Sequence, residues 1–162
     1  MGRNFYSMRR KLMADFRLNH LHFGAKIIVI AFFFLVCIGL ILSMNTASKA
    51  VKMRQAKAKA IGLQPNQFFN EDDKFLHFKD AHAHLYGHAL VFFAVAAVFI
   101  FSGVKEMYKI LVAALMVVTL LVHTYGLINI KVGIEIASMV LYSILLIYMM
   151  VVSMLAMYKK EK

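Results

Sequence analysis

Cysteine and proline each occur once in 162 residues, and charged side chains make up only 17%. The one cysteine, Cys37, lies in the middle of an apolar run, which excludes a disulfide framework. The near-absence of proline leaves long helices uninterrupted. The shortage of charge excludes an ordinary water-soluble domain, which carries about 25% charged and roughly 45–50% apolar residues. Here the apolar set reaches 62% and the mean hydropathy is +0.71. There is no phosphate-binding glycine loop, no nucleophile–base signature, no long repeat and no low-complexity tract. What is left is one all-α integral membrane domain, a four-helix bundle spanning residues 1–162.

The charge that is present is mostly of one sign, with 19 Lys and Arg against 8 Asp and Glu for a net +11. The basic residues lie between apolar runs and not on a separate basic module. Their expected partner is therefore a bilayer carrying anionic lipid, and not nucleic acid.

Four apolar runs organise the chain: Ile27–Met44, Ala89–Gly103, Ile110–Val122 and Val132–Met157. A spanning helix needs about 20 residues, or roughly 30 Å at 1.5 Å per residue. The first and last runs meet that length. The second and third reach it only by taking in their histidine-bearing flanks. The expected spans are about 27–44, 84–104, 110–130 and 132–157. Residues 45–83 form an outer loop, and Ala47–Ile61 has the alanine and lysine content of a helix continuing out of the first span. Gly62-Leu63-Gln64-Pro65 breaks it, and Pro65 is placed to open the helix leading into the second span.

Residues 1–26 form a basic segment in which Phe5, Met8, Leu12 and Phe16 recur at helical spacing, as in a helix lying along the membrane surface. The first run is longer than the roughly 7–15 residues of a signal-peptide core, so it reads as an uncleaved anchor. Tyr6 stands where an N-myristoylation motif needs serine or threonine. Basic residues before the first run, in Lys105–Lys109 and in the tail Lys159–Lys162 place both termini in the cytoplasm of a multi-pass cell-membrane protein.

The histidines gather in one region. His77, His82, His84 and His88 lie before or within the second span, and His123 lies late in the third. His123 is 13 residues past Ile110, about 20 Å along a helix, which leaves about 10 Å to the outer boundary. His88 sits about 6 Å below the same boundary, so the two are expected to face each other. At about 100° per residue, His77, His84 and His88 share one face and His82 points elsewhere. The pattern His-x-Tyr-Gly occurs twice, at His84–Gly87 and His123–Gly126, where Gly87 and Gly126 would let a flat macrocycle approach the backbone. Glu135 is the one carboxylate inside an apolar run, and it is expected to face inward toward a histidine or a metal. The twelve methionines, among them Met149, Met150, Met154 and Met157, read as packing or lipid-facing residues.

Helix count and histidine placement together resemble, in outline, the small four-helix membrane cytochromes b. That resemblance implies a haem b protein of membrane electron transfer, with His88 and His123 as the expected axial ligands and His84 as the second choice on its helix. Its partners would be other membrane or redox subunits, with quinone a candidate. Read from the residues alone, two further functions are open. One is a mononuclear zinc, iron or copper site made of His84, His88, His123 and Glu135. The other is a non-catalytic subunit that anchors a larger membrane complex.

Overall fold

The computed structural model of the chain describes residues 17–64, 67 and 69–159. Residues 1–16 of the expected surface segment 1–26 lie outside that set, as do Pro65 and the last three residues. After a single 3-10 turn at Leu18–His20 come four helices: α1 (Phe23–Ala60), α2 (Glu71–Phe99), α3 (Glu106–Ile128) and α4 (Val132–Tyr158). All four are long and apolar enough to cross a membrane.

The first is far longer than a span requires. The 38 residues of α1 extend about 57 Å, nearly twice the roughly 30 Å hydrocarbon layer. The alanine- and lysine-rich stretch thus continues the first span as one helix, as expected. It ends at Gly62, whose φ of 72° gives the left-handed residue of a Schellman closure. There the Leu63 N–H bonds the Ala58 carbonyl at 3.0 Å and the Gly62 N–H bonds that of Lys59.

The second helix begins at Glu71, six residues past Pro65, because Asn70 caps it. The Asn70 side chain accepts from the Asp73 N–H at 2.8 Å, while Asp73 accepts from the Phe69 N–H at 3.0 Å. Glu71, Asp72 and Asp73 fill the first turn, where the helix dipole favours negative charge.

Between α3 and α4 the chain turns in three residues. The Lys131 N–H returns to the Gly126 carbonyl at 2.8 Å and the Ile130 N–H to that of Leu127, again a Schellman closure. Here the left-handed position, with φ of 53°, is held by Ile130, a β-branched residue that rarely adopts it. Burial of its side chain, only 3% exposed, holds it there. The third helix therefore stops at Ile128, two residues short of its expected limit.

The core is built from stripes at three- and four-residue spacing: Phe33, Val36 and Leu40 on α1, Phe92, Val95 and Phe99 on α2, Val112, Met116 and Leu120 on α3, and Tyr142, Leu146 and Met149 on α4. α4 packs against all three other helices. Large apolar side chains such as Ile28, Phe34, Leu42, Phe93 and Leu121 point outward, as a lipid-facing surface requires. Met149, Met150 and Met157 are buried, so these methionines pack the core. Lys26 joins the start of α1 to the end of α4, its ammonium donating to the Met157 carbonyl at 2.9 Å and to that of Asn19 at 3.1 Å. Both ends of the described bundle therefore lie at the same level.

Candidate metal centre

The inward stripes of α2 and α3 change character toward the other end of the bundle. On α3 the series Val112, Met116, Leu120 continues one turn on to His123, which is buried. On α2, moving back from Phe99 through Val95 and Phe92, the same face arrives at His88 and then His84. The positions that carry apolar side chains in mid-bundle thus carry imidazoles here. α2 and α3 are joined by a short turn and pack directly, so the histidines meet.

One ligand nitrogen from each of His84, His88 and His123 lies within 4.8 Å of the others. The His84 and His88 rings stack with centroids 5.6 Å apart, and the His123 ring meets them edge-on at 6.1 and 5.6 Å. A metal bound by imidazole nitrogens at about 2.0–2.1 Å in a tetrahedral arrangement holds them about 3.3–3.4 Å apart.

His123 is oriented from behind. Its Nδ1 lies 3.3 Å from the Glu135 carbonyl oxygen and 3.3 Å from the Ser138 hydroxyl. A carbonyl only accepts, so the bond to Glu135 puts the proton on Nδ1 and leaves the free lone pair on Nε2. The single Ser138 hydroxyl proton is shared between the Ile134 and Glu135 carbonyls, at 2.7 and 2.9 Å, which leaves its oxygen to accept from His123. His88 is held by Tyr142, whose ring packs against it at 4.9 Å and whose hydroxyl donates to the His88 carbonyl at 2.9 Å.

Glu135 is placed differently from its expected role. It touches the cluster through its backbone, and its carboxylate does not join the converging ligands. The side chain borders a separate cavity shared with Ser48, Lys52 and Gln55 of α1. The reason is the approach of α3 to α4, which presents the backbone of Glu135, and not its side chain, to His123.

Gly126 makes that approach possible. A Cβ there would lie 2.9 Å from the Glu135 nitrogen and 3.2 Å from its Cα. Gly87, its partner in the repeated His-x-Tyr-Gly pattern, has nothing within 4 Å of such a Cβ. The two glycines therefore do different things, one letting helices touch and the other leaving space. The tyrosines of the pattern, Tyr86 and Tyr125, are exposed.

That space is a cavity of about 610 Å³ between α1 and α2, bounded by Tyr142 on α4, with His84 and His88 in its wall. Of the remaining histidines, His82 packs at a tilt against Tyr86 away from the cluster, as helix phase predicts, and the His22 ring accepts from the Gly24 N–H at the start of α1.

Two turns outward from His84, His77 belongs to another cluster, which pins the extension of α1 to the start of α2. The Arg54 guanidinium bonds both carboxylate oxygens of Asp73, at 3.2 and 3.1 Å, and the Gln67 carbonyl at 2.7 Å. It also donates to His77 Nε2 at 2.6 Å and lies over the Phe69 ring. Burial, and then the Arg54 charge, hold the His77 imidazole below its ordinary value despite the nearby carboxylates of Asp73 and Asp80. Burial alone would raise Asp73, but its bonds from Arg54 and the Phe69 N–H outweigh that and hold the carboxyl below the ordinary range. The spacing of 19 residues between Arg54 and Asp73 gives no local signal for this pairing. No protein-family model, no curated protein and no solved structure matches the chain.

Proposed function

We propose that this chain is a four-span membrane protein that binds one transition-metal ion, zinc, iron or copper, through His84, His88 and His123. The observation that carries the reading is the convergence of three imidazole nitrogens from two helices within 4.8 Å. The protonated Nδ1 of His123 supports it, because metal-binding histidines usually donate their other ring nitrogen to a carbonyl, carboxylate or water. Three protein ligands leave a fourth position open, the arrangement of a site that binds water or a substrate and not that of a closed structural one. Bound there, the ion supplies Lewis acidity. The chain's own part is to hold three neutral imidazoles in place and to keep most bulk water away with its apolar surroundings. With both termini in the cytoplasm, the site lies toward the outer face of the cell membrane.

Haem b and membrane electron transfer form the second reading, favoured by the cavity of about 610 Å³ beside His84 and His88. A haem in that cavity would be held by His84 or His88, the two imidazoles in its wall. A pair made of His88 and His123 would need a macrocycle between rings now 5.6 Å apart on directly packed helices. One preparation separates the two readings. Elemental analysis of the purified protein is expected to find about one metal ion per chain, lost in His88→Ala and His123→Ala, with no Soret band. A Soret band that sharpens on reduction selects haem and overturns the mononuclear reading.

A further inference from the structure

The cavity between α1 and α2 is built from missing side chains. Gly39 on α1 and Gly87 on α2 both line it, and a Cβ added at either would meet nothing within 4 Å. Glycine inside a helix lowers its stability relative to alanine. In membrane helices it is commonly compensated by close helix contact, as at Gly126, where a Cβ would strike the backbone of α4. At Gly39 and Gly87 no such contact exists. What the two glycines provide is room.

The lining says what the room takes. Phe32, Val36, Leu40 and Val91 make the apolar wall, and among the described residues no Asp, Glu, Lys or Arg lines it. Polar groups are confined to the imidazoles of His84 and His88, Ser43 and the Tyr142 hydroxyl. A volume near 610 Å³ falls within the ordinary range for small-molecule sites, which combine an apolar lining with a few converging polar groups. A charged ligand would find no counter-charge in this wall. α1 packs only lightly against α2, and the cavity between them is open; Phe32, Leu35, Val36 and Leu40 of the first apolar run line it, which sets it at the depth of the hydrocarbon layer.

We infer that the cavity between Gly39 and Gly87 admits a neutral amphiphile from the bilayer, an apolar chain or ring with one oxygen-bearing head, and that the head occupies the open position of the metal held by His84, His88 and His123. This inference rests on the three-histidine reading. The metal site is then one whose substrate or ligand arrives laterally through lipid. Binding needs no covalent or redox step: the head oxygen donates a lone pair to the ion and displaces water, and the apolar body fills the cavity.

Cobalt makes the event visible. The native protein is placed in phosphatidylcholine nanodiscs, loaded with Co²⁺, and titrated with 4-decylphenol or with phenol while the visible bands of the ion are followed. Decylphenol is expected to shift the bands at a concentration at least tenfold lower than phenol. Gly39→Leu fills the cavity from α1, the helix that carries none of the three metal ligands, and is expected to keep Co²⁺ stoichiometry and lose the decylphenol shift. Cobalt bands that ignore decylphenol, or that respond equally in Gly39→Leu, overturn this inference and leave the metal site standing. If no cobalt bands depend on His123, the three-histidine reading falls and the inference falls with it.

Discussion

His123 and Glu135 meet through the backbone: the imidazole Nδ1 donates to the Glu135 carbonyl at 3.3 Å, and the carboxylate plays no part. This one contact sets the tautomer of the histidine. It also explains why Ser138 matters, since its hydroxyl lies at the same distance from Nδ1 and reinforces the same orientation. Replacing an outer partner of a metal-bound histidine typically weakens metal binding by about 10–100-fold. Ser138→Ala retains the carbonyl contact, so a loss near the lower end, about tenfold, is expected. Competition with a fluorescent zinc chelator measures it. Glu135→Gln, which alters only the side chain, is expected to leave zinc affinity within about twofold.

The two glycines of the repeated pattern make opposite predictions. Gly126→Ala drives a methyl into the backbone of α4, and overpacking of this kind costs about 1–3 kcal/mol. Gly87→Ala adds a methyl to open space within a helix and is expected to stabilise by roughly 0.5–1 kcal/mol. Unfolding in mixed detergent micelles reads both. Equal effects of one sign would contradict the different surroundings assigned to them.

Much of this arrangement is legible in the residues. The fourfold alternation of apolar runs with basic turns gives the helix count, because the hydrocarbon layer imposes a minimum length. The three histidines are legible for a second reason, since they continue the inward stripes of α2 and α3 at spacing that a helix keeps in phase. Glu135 shows where such reasoning stops. Length arithmetic gives a depth, but which way the residue points depends on how α4 rotates against α3, and that is set by contact at Gly126. The start of α2 was signalled by Asn70 ahead of three acids, a stronger helix-start pattern than Pro65 alone. The Arg54 cluster had no comparable signal, because its members meet only once the chain between α1 and α2 has folded back.

That cluster makes the end of the bundle sensitive to acid. Arginine only donates, so His77 Nε2 must be unprotonated to accept from Arg54. With its folded value held below 6.5, His77 takes up a proton more readily in the unfolded chain than in the folded one. Its contribution is therefore complete above about pH 6.5 and declines as the pH falls through that value toward the folded one. Asp73 acts in the same direction lower down: its contribution is present above 3.8 and is lost as the pH falls through its folded value. The melting temperature in detergent is expected to drop between pH 7.5 and 5, and to drop less in His77→Gln. A native protein equally stable at both values would contradict the role given to His77.

Arg54 itself supports a larger effect. Its removal leaves Asp73, a half-buried carboxylate, without its main partner, and loss of one member of such a pair is more damaging than the pair's net worth. Arg54→Ala is expected to increase hydrogen exchange in the first turns of α2 and the last turns of α1 while leaving metal stoichiometry unchanged. Protection that stays at native level across residues 54–77 would contradict that linkage.

The central claim is that three imidazoles share one metal ion, and X-ray absorption at the metal edge tests it most directly. On the zinc-loaded protein it is expected to show three imidazole nitrogens at about 2.0–2.1 Å with one further light ligand. His123→Ala should lose that shell. An all-oxygen shell, or a native spectrum that His123→Ala leaves unchanged, would contradict it.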